Sequence, residues 1–206
     1  MSPRVMDETV RAYDLDAAAY VGRTAQLPDD VRAAIEDCAA RLGAGAMILE
    51  IGSGGGRDAR RLEELGLTVR RTDITPAFVT LLREQGHDAD VVDPLVDDLG
   101  SPAGPYDGVW ADASLLHVHR ADLPTVLSRL AAVTRAGGLL RASVKEGDGD
   151  GWSTHGSIGR RRHFTYWRAP ALAEVVAEAG WTDVEVRSGT EGERGESWLW
   201  LEAVRR

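Results

Sequence analysis

The chain has 206 residues, 43% of them apolar and 28% charged, which suffices for one globular domain with a full core and excludes a mini-protein that needs staples to fold. Its 24 basic and 33 acidic residues leave a net charge of -9, a balance that works against phosphate-backbone binding, so no nucleic-acid partner is expected. A lone Cys38 excludes an internal disulfide and a cysteine-based metal centre. The amino terminus carries acids where a secretory signal would be apolar, and no run approaches the roughly 20 apolar residues of a membrane span. The expectation is a cytoplasmic protein with no membrane partner and no metal.

Val10, Tyr13, Ala17, Tyr20 and Thr24 recur at steps of three and four, as do Val31, Ile35, Cys38 and Leu42, so the chain opens with two amphipathic helices. Pro28 can open the second and Gly43 can close it. Short apolar runs then alternate with helical ones. AMILEI (46–51) precedes a helix from Arg57 to Leu65; LTVRRT (67–72) precedes a helix begun by Thr75 and Pro76 and closed by Gly86. DADVV (88–92), YDGVWA (106–111), a helix from Asp122 to Arg135 and, after a Gly137-Gly138 turn, GLLRASV (138–144) continue the pattern. This is βαβα grammar and predicts an α/β fold with a doubly wound parallel sheet. A Gly- and Arg-rich loop over 146–163 reads as a lid, followed by HFTYW, a helix from Ala169 to Ala179 and strands near 181–188 and 197–204. GTEGERGE between those strands is too short for a helical crossover, so the sheet is expected to end antiparallel. The whole chain reads as one domain, with a helical cap at 1–44, a ligand-binding core at 45–145, and the lid, helix and hairpin at 146–206.

The most informative segment is ILEIGSGGGRDA (48–59), a buried strand running through glycines 52, 54, 55 and 56 into a helix. Glycines there let the chain turn sharply and let a ligand approach the backbone, while the helix start presents free N–H groups. A dinucleotide fingerprint of the form G-x-G-x-x-G would need a glycine where Arg57 stands. The second landmark is Asp73, which ends the second strand; it can accept hydrogen bonds from both hydroxyls of a ribose, or cap the helix that starts at Thr75-Pro76.

The G-x-G-x-G turn preceded by Glu50 resembles that of the class I S-adenosylmethionine-dependent methyltransferases, and the likeness runs from about residue 45 to the C-terminus, with Asp107 matching the acid that starts their fourth strand. The resemblance implies a Rossmann-like, seven-stranded sheet of order 3-2-1-4-5-7-6 with an antiparallel last strand and an N-terminal helical cap. It also implies S-adenosylmethionine as cofactor, S-adenosylhomocysteine as product, and a small-molecule substrate handled by a monomer or homodimer. Carried onto this sequence, the cofactor is held by Glu50, Gly52, Gly54, Gly56 and Asp73, with Ile74 packing on the adenine and Asp93 receiving its amino group. Asp97 and Asp98 compete for that last role, and all three can equally be a solvated acidic loop. Ala111, Asp112 and Leu116 lie where sulfonium and substrate meet. Tyr20, with Arg23 and Thr24, reaches the methionine carboxylate, while Tyr13 continues the apolar stripe.

Methyl transfer from a sulfonium relies on alignment and exclusion of water, and needs a base only when the nucleophile must lose a proton. Asp112, His117, His119, His155, His163 and Tyr166 are in range; Asp112, His117 and Tyr166 are the candidates of choice. His117 can equally be a histidine packed beside the cofactor. One residue separates His117 from His119, so on a helix they point about 200° apart and cannot serve one site unless the segment is a loop. Arg160, Arg161 and Arg162 read as a solvated run or as an anion trap on the lid. Trp110, Trp152 and Trp167 near the ligand edge suggest a pocket for a flat aromatic or heteroaromatic, indole-like acceptor in secondary metabolism. The competing readings are RNA or protein methylation, disfavoured by the acidic charge and by ADAS in place of an Asn/Asp-Pro-Pro-aromatic motif, and a non-catalytic cofactor-binding partner subunit. A nicotinamide oxidoreductase is weakest because the third glycine is missing.

Overall fold

The computed structural model describes residues 5–156, 158–189 and 196–206. Two helices open the chain, α1 (Val5–Arg23) and α2 (Asp29–Leu42). Pro28 precedes α2, Asp29 and Asp30 face the positive end of its dipole, and Gly43, at φ 84°, ends it with an N–H bond to Ala39 O.

The sheet begins with β1 (Met47–Ile51), followed by α3 (Arg57–Glu64), β2 (Thr68–Asp73), α4 (Pro76–Glu84), β3 (Ala89–Val91) and β4 (Tyr106–Ala111). A short 3-10 turn (Leu115–His117) leads into α5 (Leu123–Val133) and β5 (Thr134–Lys145). A ribbon of β6 (Asp150–Ser153) and β7 (Arg162–Thr165) then precedes α6 (Ala169–Glu178), β8 (Trp181–Ser188) and β9 (Trp198–Arg205). The seven-stranded sheet has the order β3-β2-β1-β4-β5-β9-β8, with β9 antiparallel to both neighbours. With the last two strands counted as sixth and seventh, this is the 3-2-1-4-5-7-6 order that the resemblance implies. Helices cover both faces, so β1 and β4 are nearly continuous in buried side chains rather than alternating.

The structure departs from the sequence reading in two places. Gly137 and Gly138 form no turn before β5; they lie inside it, where the register with β4 slips between Tyr106 and Gly108. A Cβ on Gly138 would stand 2.8 Å from Asp107 O, so the close approach of β4 demands a glycine there. The 146–163 stretch, expected to be a loop, holds the β6–β7 ribbon, whose pairs such as Trp152 opposite His163 carry no alternating apolar signal. Of the N-terminal helices, α2 packs on the core through Val31, Ile35 and Cys38, which meet Ile48, Leu62 and Trp110. Each such aliphatic side chain contributes about 1.5–3 kcal/mol on burial. Arg141, bonded to Asp37 and Glu202, fastens the same helix to the sheet. Most of the GTEGERGE segment, residues 190–195, lies outside the described residues. No described helix is long and apolar enough to cross a membrane.

Candidate active site

The carboxyl ends of β1, β2 and β4 converge at the glycine turn, the place where open α/β sheets bind ligands. The N–H groups of Gly52 and Ser53 both donate to Thr72 O, at 2.9 Å each, which folds the turn back on β2. Gly52 has φ 82°, and a Cβ there would stand 2.4 Å from Ser114 Cβ, so no other residue fits. Asp73, buried, accepts N–H bonds from Gly54 (2.9 Å) and Thr75 (2.8 Å). These bonds tie the glycine turn to the start of α4, and burial raises the Asp73 pKa.

These groups border a cleft of about 700 Å³, open to solvent, between α1, the glycine turn and the loop after β4. Tyr20, Gly52, Gly54, Asp73, Ile74 and His117 all line it, so six of the twelve predicted site residues come together. Tyr13, Phe78, Ser114 and Val92 complete much of its wall.

Other predicted residues stand elsewhere. Glu50 lies beneath the turn and receives Ser53 Oγ–H; burial, and then the neighbouring Asp58 carboxylate, push its pKa up to about 8. Gly56 does not line this cleft; a Cβ on it would strike Leu82 Cδ2 at 2.6 Å, so it serves the packing of α3 on α4. Ala111 is fully buried in the core, and Ala113 and Ser114 take its place on the wall. Asp93 faces a neighbouring cavity, shared with Asp7, His119 and Asp122, and its Oδ1 caps the Leu95 N–H at 2.9 Å. Asp112 borders a third cavity and is bonded to Arg57. Tyr166 lines none of the three; its ring packs by Phe164, 6.4 Å away, and its carbonyl takes an N–H from Arg120. None of Trp110, Trp152 and Trp167 borders them either: Trp110 is buried and donates to Asp58 at 3.0 Å, and Trp167 lies under the Arg120 guanidinium.

The hydrogen bonds of His117 fix its tautomer. Its Nδ1 stands 2.6 Å from His163 O, a group that can only accept, so the ring proton is there. Nε2 therefore accepts from the Tyr13 hydroxyl at 2.9 Å. Both nitrogens are spent inside the protein. Burial, aided by the Arg162 and Lys145 cations, lowers its pKa to about 3, so the ring is neutral at neutral pH. His119 lies past the 3-10 turn, stacks on His163 with centroids 5.3 Å apart, and borders one cavity together with His117.

Sequence reasoning missed Tyr13, whose place in the apolar stripe hid its hydroxyl, and Arg162, taken for part of a solvated run. Arg162 is 2% exposed and donates to Tyr13 Oη at 3.1 Å and to the carbonyls of His155 and Ile158. Ser114 Oγ is buried without a hydrogen-bond partner at the cleft wall. A nearby glycine turn, a ribose-type carboxylate and this unspent hydroxyl fit an adenosyl group.

A family model described as "Methyltransferase domain" matches residues 49–142. No curated protein matches the chain. Among solved structures, the 1,6-didemethyltoxoflavin-N1-methyltransferase of Burkholderia thailandensis, bound to 1,6-didemethyltoxoflavin and S-adenosylhomocysteine, is 25% identical; the likeness covers 95% of this chain and 87% of that one at a TM-score of 0.72. The N-methyltransferase NodS of Bradyrhizobium japonicum WM9 is 16% identical over 97% of this chain and 99% of its own, with a TM-score of 0.72. The CcbJ methyltransferase of Streptomyces caelestis is 19% identical over 97% of this chain and all, 100%, of its own, with a TM-score of 0.71. The last two share the fold. Sheet order, glycine turn and matched domain agree with those of the S-adenosylmethionine-dependent methyltransferases, which this chain resembles.

Proposed function

We propose that the chain methylates an aromatic or heteroaromatic small molecule whose nucleophile carries a hydrogen, with a ring nitrogen as the favoured atom. The observation that carries this reading is the aromatic wall of the cleft. Tyr13 meets Tyr20 and His117 edge-on, each with centroids 5.4 Å apart, and Tyr20 meets Phe78 at 5.3 Å. Such a wall accepts a flat ring in offset or edge-to-face contact, each pair contributing about 0.5–1.5 kcal/mol beyond its buried area. The Burkholderia thailandensis relative is named for methylation of a nitrogen, N1, which agrees.

S-adenosylmethionine supplies, when bound, a methyl group on a sulfonium, and its in-line displacement depends on alignment. Asp73, both oxygens already fixed by backbone N–H groups, keeps lone pairs for the ribose hydroxyls, and Ile74 packs against the adenine. Tyr13 Oη accepts an N–H bond from Arg162 and donates its O–H to His117 Nε2, which leaves one lone pair to accept the N–H or O–H of the acceptor. Tyr13 therefore orients the nucleophile, and His117 holds Tyr13 in that sense. Burial, then the Asp73 charge, raises the Tyr13 pKa against the lowering effect of Arg162, so the phenol stays protonated.

The test is incubation with S-adenosylmethionine labelled in its methyl group and a panel of indoles, nitrogen heteroaromatics, phenols and aliphatic amines. Label in the ring N–H acceptors supports the reading. Label in no member of the panel, or only in the RNA or protein of an extract, overturns it.

A further inference from the structure

Arg162 is 2% exposed, yet its hydrogen-bond acceptors are all uncharged. They are Tyr13 Oη at 3.1 Å and the carbonyls of His155, Ile158 and Arg160, and among the described residues no carboxylate pairs with it. A buried guanidinium is ordinarily matched by an anion, because neutral oxygens offset only part of the cost of leaving water. Lys145, the one lysine of the chain, is buried close by. Its Nζ stands 4.5 Å from the centroid of the Phe164 ring; the Arg162 Cζ stands 5.2 Å from the same centroid and 5.3 Å from that of Tyr13. Phe164 in turn packs on His117, with centroids 4.8 Å apart. Two cations therefore stand behind the Tyr13 and His117 side of the aromatic wall, and after burial both help to lower the His117 pKa. The carboxylates lie on other sides. Among the described residues only Asp73 borders the cleft, while Asp7, Asp93 and Asp122 border the neighbouring cavity.

The titratable groups described on the cleft wall are Tyr13, Tyr20, Asp73 and His117. Burial keeps both phenols protonated, Asp73 takes two backbone N–H bonds and faces the ribose, and both His117 nitrogens are spent. None is placed to take the proton of an acceptor docked on Tyr13 Oη. A neutral nitrogen that attacks with its hydrogen in place ends as a cation, one hydrogen bond away from Arg162. A nitrogen that has first lost the hydrogen ends neutral, and begins with a charge that Arg162 attracts. We propose that Arg162 and Lys145 select the acceptor by charge: the cleft takes an acidic N–H heteroaromatic, which reacts as its anion, and refuses one that is a cation at neutral pH. The proposal rests on the methylation of a ring nitrogen argued above. The N–H proton leaves to solvent through the open side of the cleft. The ring nitrogen then forms its bond to the methyl carbon as the carbon–sulfur bond breaks and that electron pair stays on sulfur, so an anion and a sulfonium become two neutral products. Neither cation borders the cleft, so both are positioning residues, and Arg162 acts through Tyr13.

The test measures labelled-methyl turnover from pH 5 to pH 9 with indole, benzotriazole and 5-chlorobenzotriazole, rings of one shape and rising N–H acidity, and with tryptamine as the cation. At pH 8 the benzotriazoles should exceed indole in kcat/KM by at least about 100-fold, and the tryptamine amine should take no label. For each benzotriazole kcat should rise with pH through a midpoint about 1 or more below the pKa of the free acceptor, and lower for the chloro compound. Arg162→Met should raise each midpoint by about 1 and cut the preference over indole about 10-fold, Arg162→Lys should keep both, and Lys145→Met should shift the midpoint in the same direction. A merely structural role would lower kcat and leave its midpoint in place. S-adenosylhomocysteine binding within about 2-fold of the wild type reports an intact fold, and if Arg162→Met fails that check, Lys145→Met and the wild-type profiles decide. Methylation of the tryptamine amine, indole turned over as well as benzotriazole, a midpoint common to the two benzotriazoles, or midpoints that the folded variants leave unmoved would each overturn the selection. Label in none of the rings at any pH would instead remove the nitrogen-methylation reading on which it rests.

Discussion

Replacing Glu50 by Gln should change the pH dependence of stability in a direction fixed by its burial. The carboxyl lies under the glycine turn, 2% exposed, beside Ser53 and near Asp58, and titrates at about 8 against an ordinary 4.5. Between those values the folded chain holds a proton that the unfolded chain has lost, so the contribution of Glu50 is greatest at low pH and falls as pH rises through 8. Between pH 5 and pH 8 this amounts to roughly 3–4 kcal/mol, at about 1.4 kcal/mol for each tenfold change in proton binding. The Gln variant keeps an acceptor for Ser53 Oγ–H but has no proton to lose. Urea unfolding of both proteins, without ligand, at pH 5 and pH 8 measures the difference. The variant should gain on the wild type by that amount as pH rises. A difference that stays constant with pH, or grows in the wild type's favour, would refute an uncharged Glu50 at neutral pH.

Three further outcomes follow from the same geometry. Gly52→Ala puts a side chain at φ 82° with its Cβ 2.4 Å from Ser114 Cβ; it should lower stability by about 2 kcal/mol or more in urea unfolding and abolish S-adenosylhomocysteine binding, and a variant that binds normally would contradict the turn. The His117 ring should remain neutral, protonated at Nδ1, from pH 5 to pH 8 in nitrogen-15 NMR; a titration midpoint near 6.5 would restore it as a base. With an acceptor in hand, His117→Gln, whose amide can both accept from Tyr13 and donate to His163 O, should retain most of the activity while His117→Leu loses at least about 10-fold; equal losses in the two would contradict an orienting role.

Much of the sheet was legible because each buried strand is bounded by glycine or by a helix start, and 48–56 carries its turn on its face. The place of the last two strands came from the resemblance alone, since local pattern fixes their hairpin but not where it pairs. The β6–β7 ribbon was invisible because polar and aromatic pairs, such as His163 with Asp150 at 2.9 Å, hold it. In the site, Gly52, Gly54, Asp73 and Ile74 were legible because strand ends must converge there. Tyr13 and Arg162 were not: 149 positions separate them, and their contact exists only once β7 lies against α1. The tryptophans misled because a place near a strand end does not say which face a side chain takes; Trp110 turns to α2 and Asp58. Asp93 was a choice between two uses of one carboxylate, and the backbone of its own turn claims an oxygen.

The most direct measurement of the central claim is calorimetric titration of the wild type and Asp73→Ala with S-adenosylhomocysteine, with NADH as the comparison ligand. The account predicts micromolar binding to the wild type, a loss of about 30-fold or more in Asp73→Ala, where the ribose acceptor and the bond to Gly54 N–H both vanish, and no binding of NADH. Absence of S-adenosylhomocysteine binding, or equal affinity in the two proteins, would contradict it.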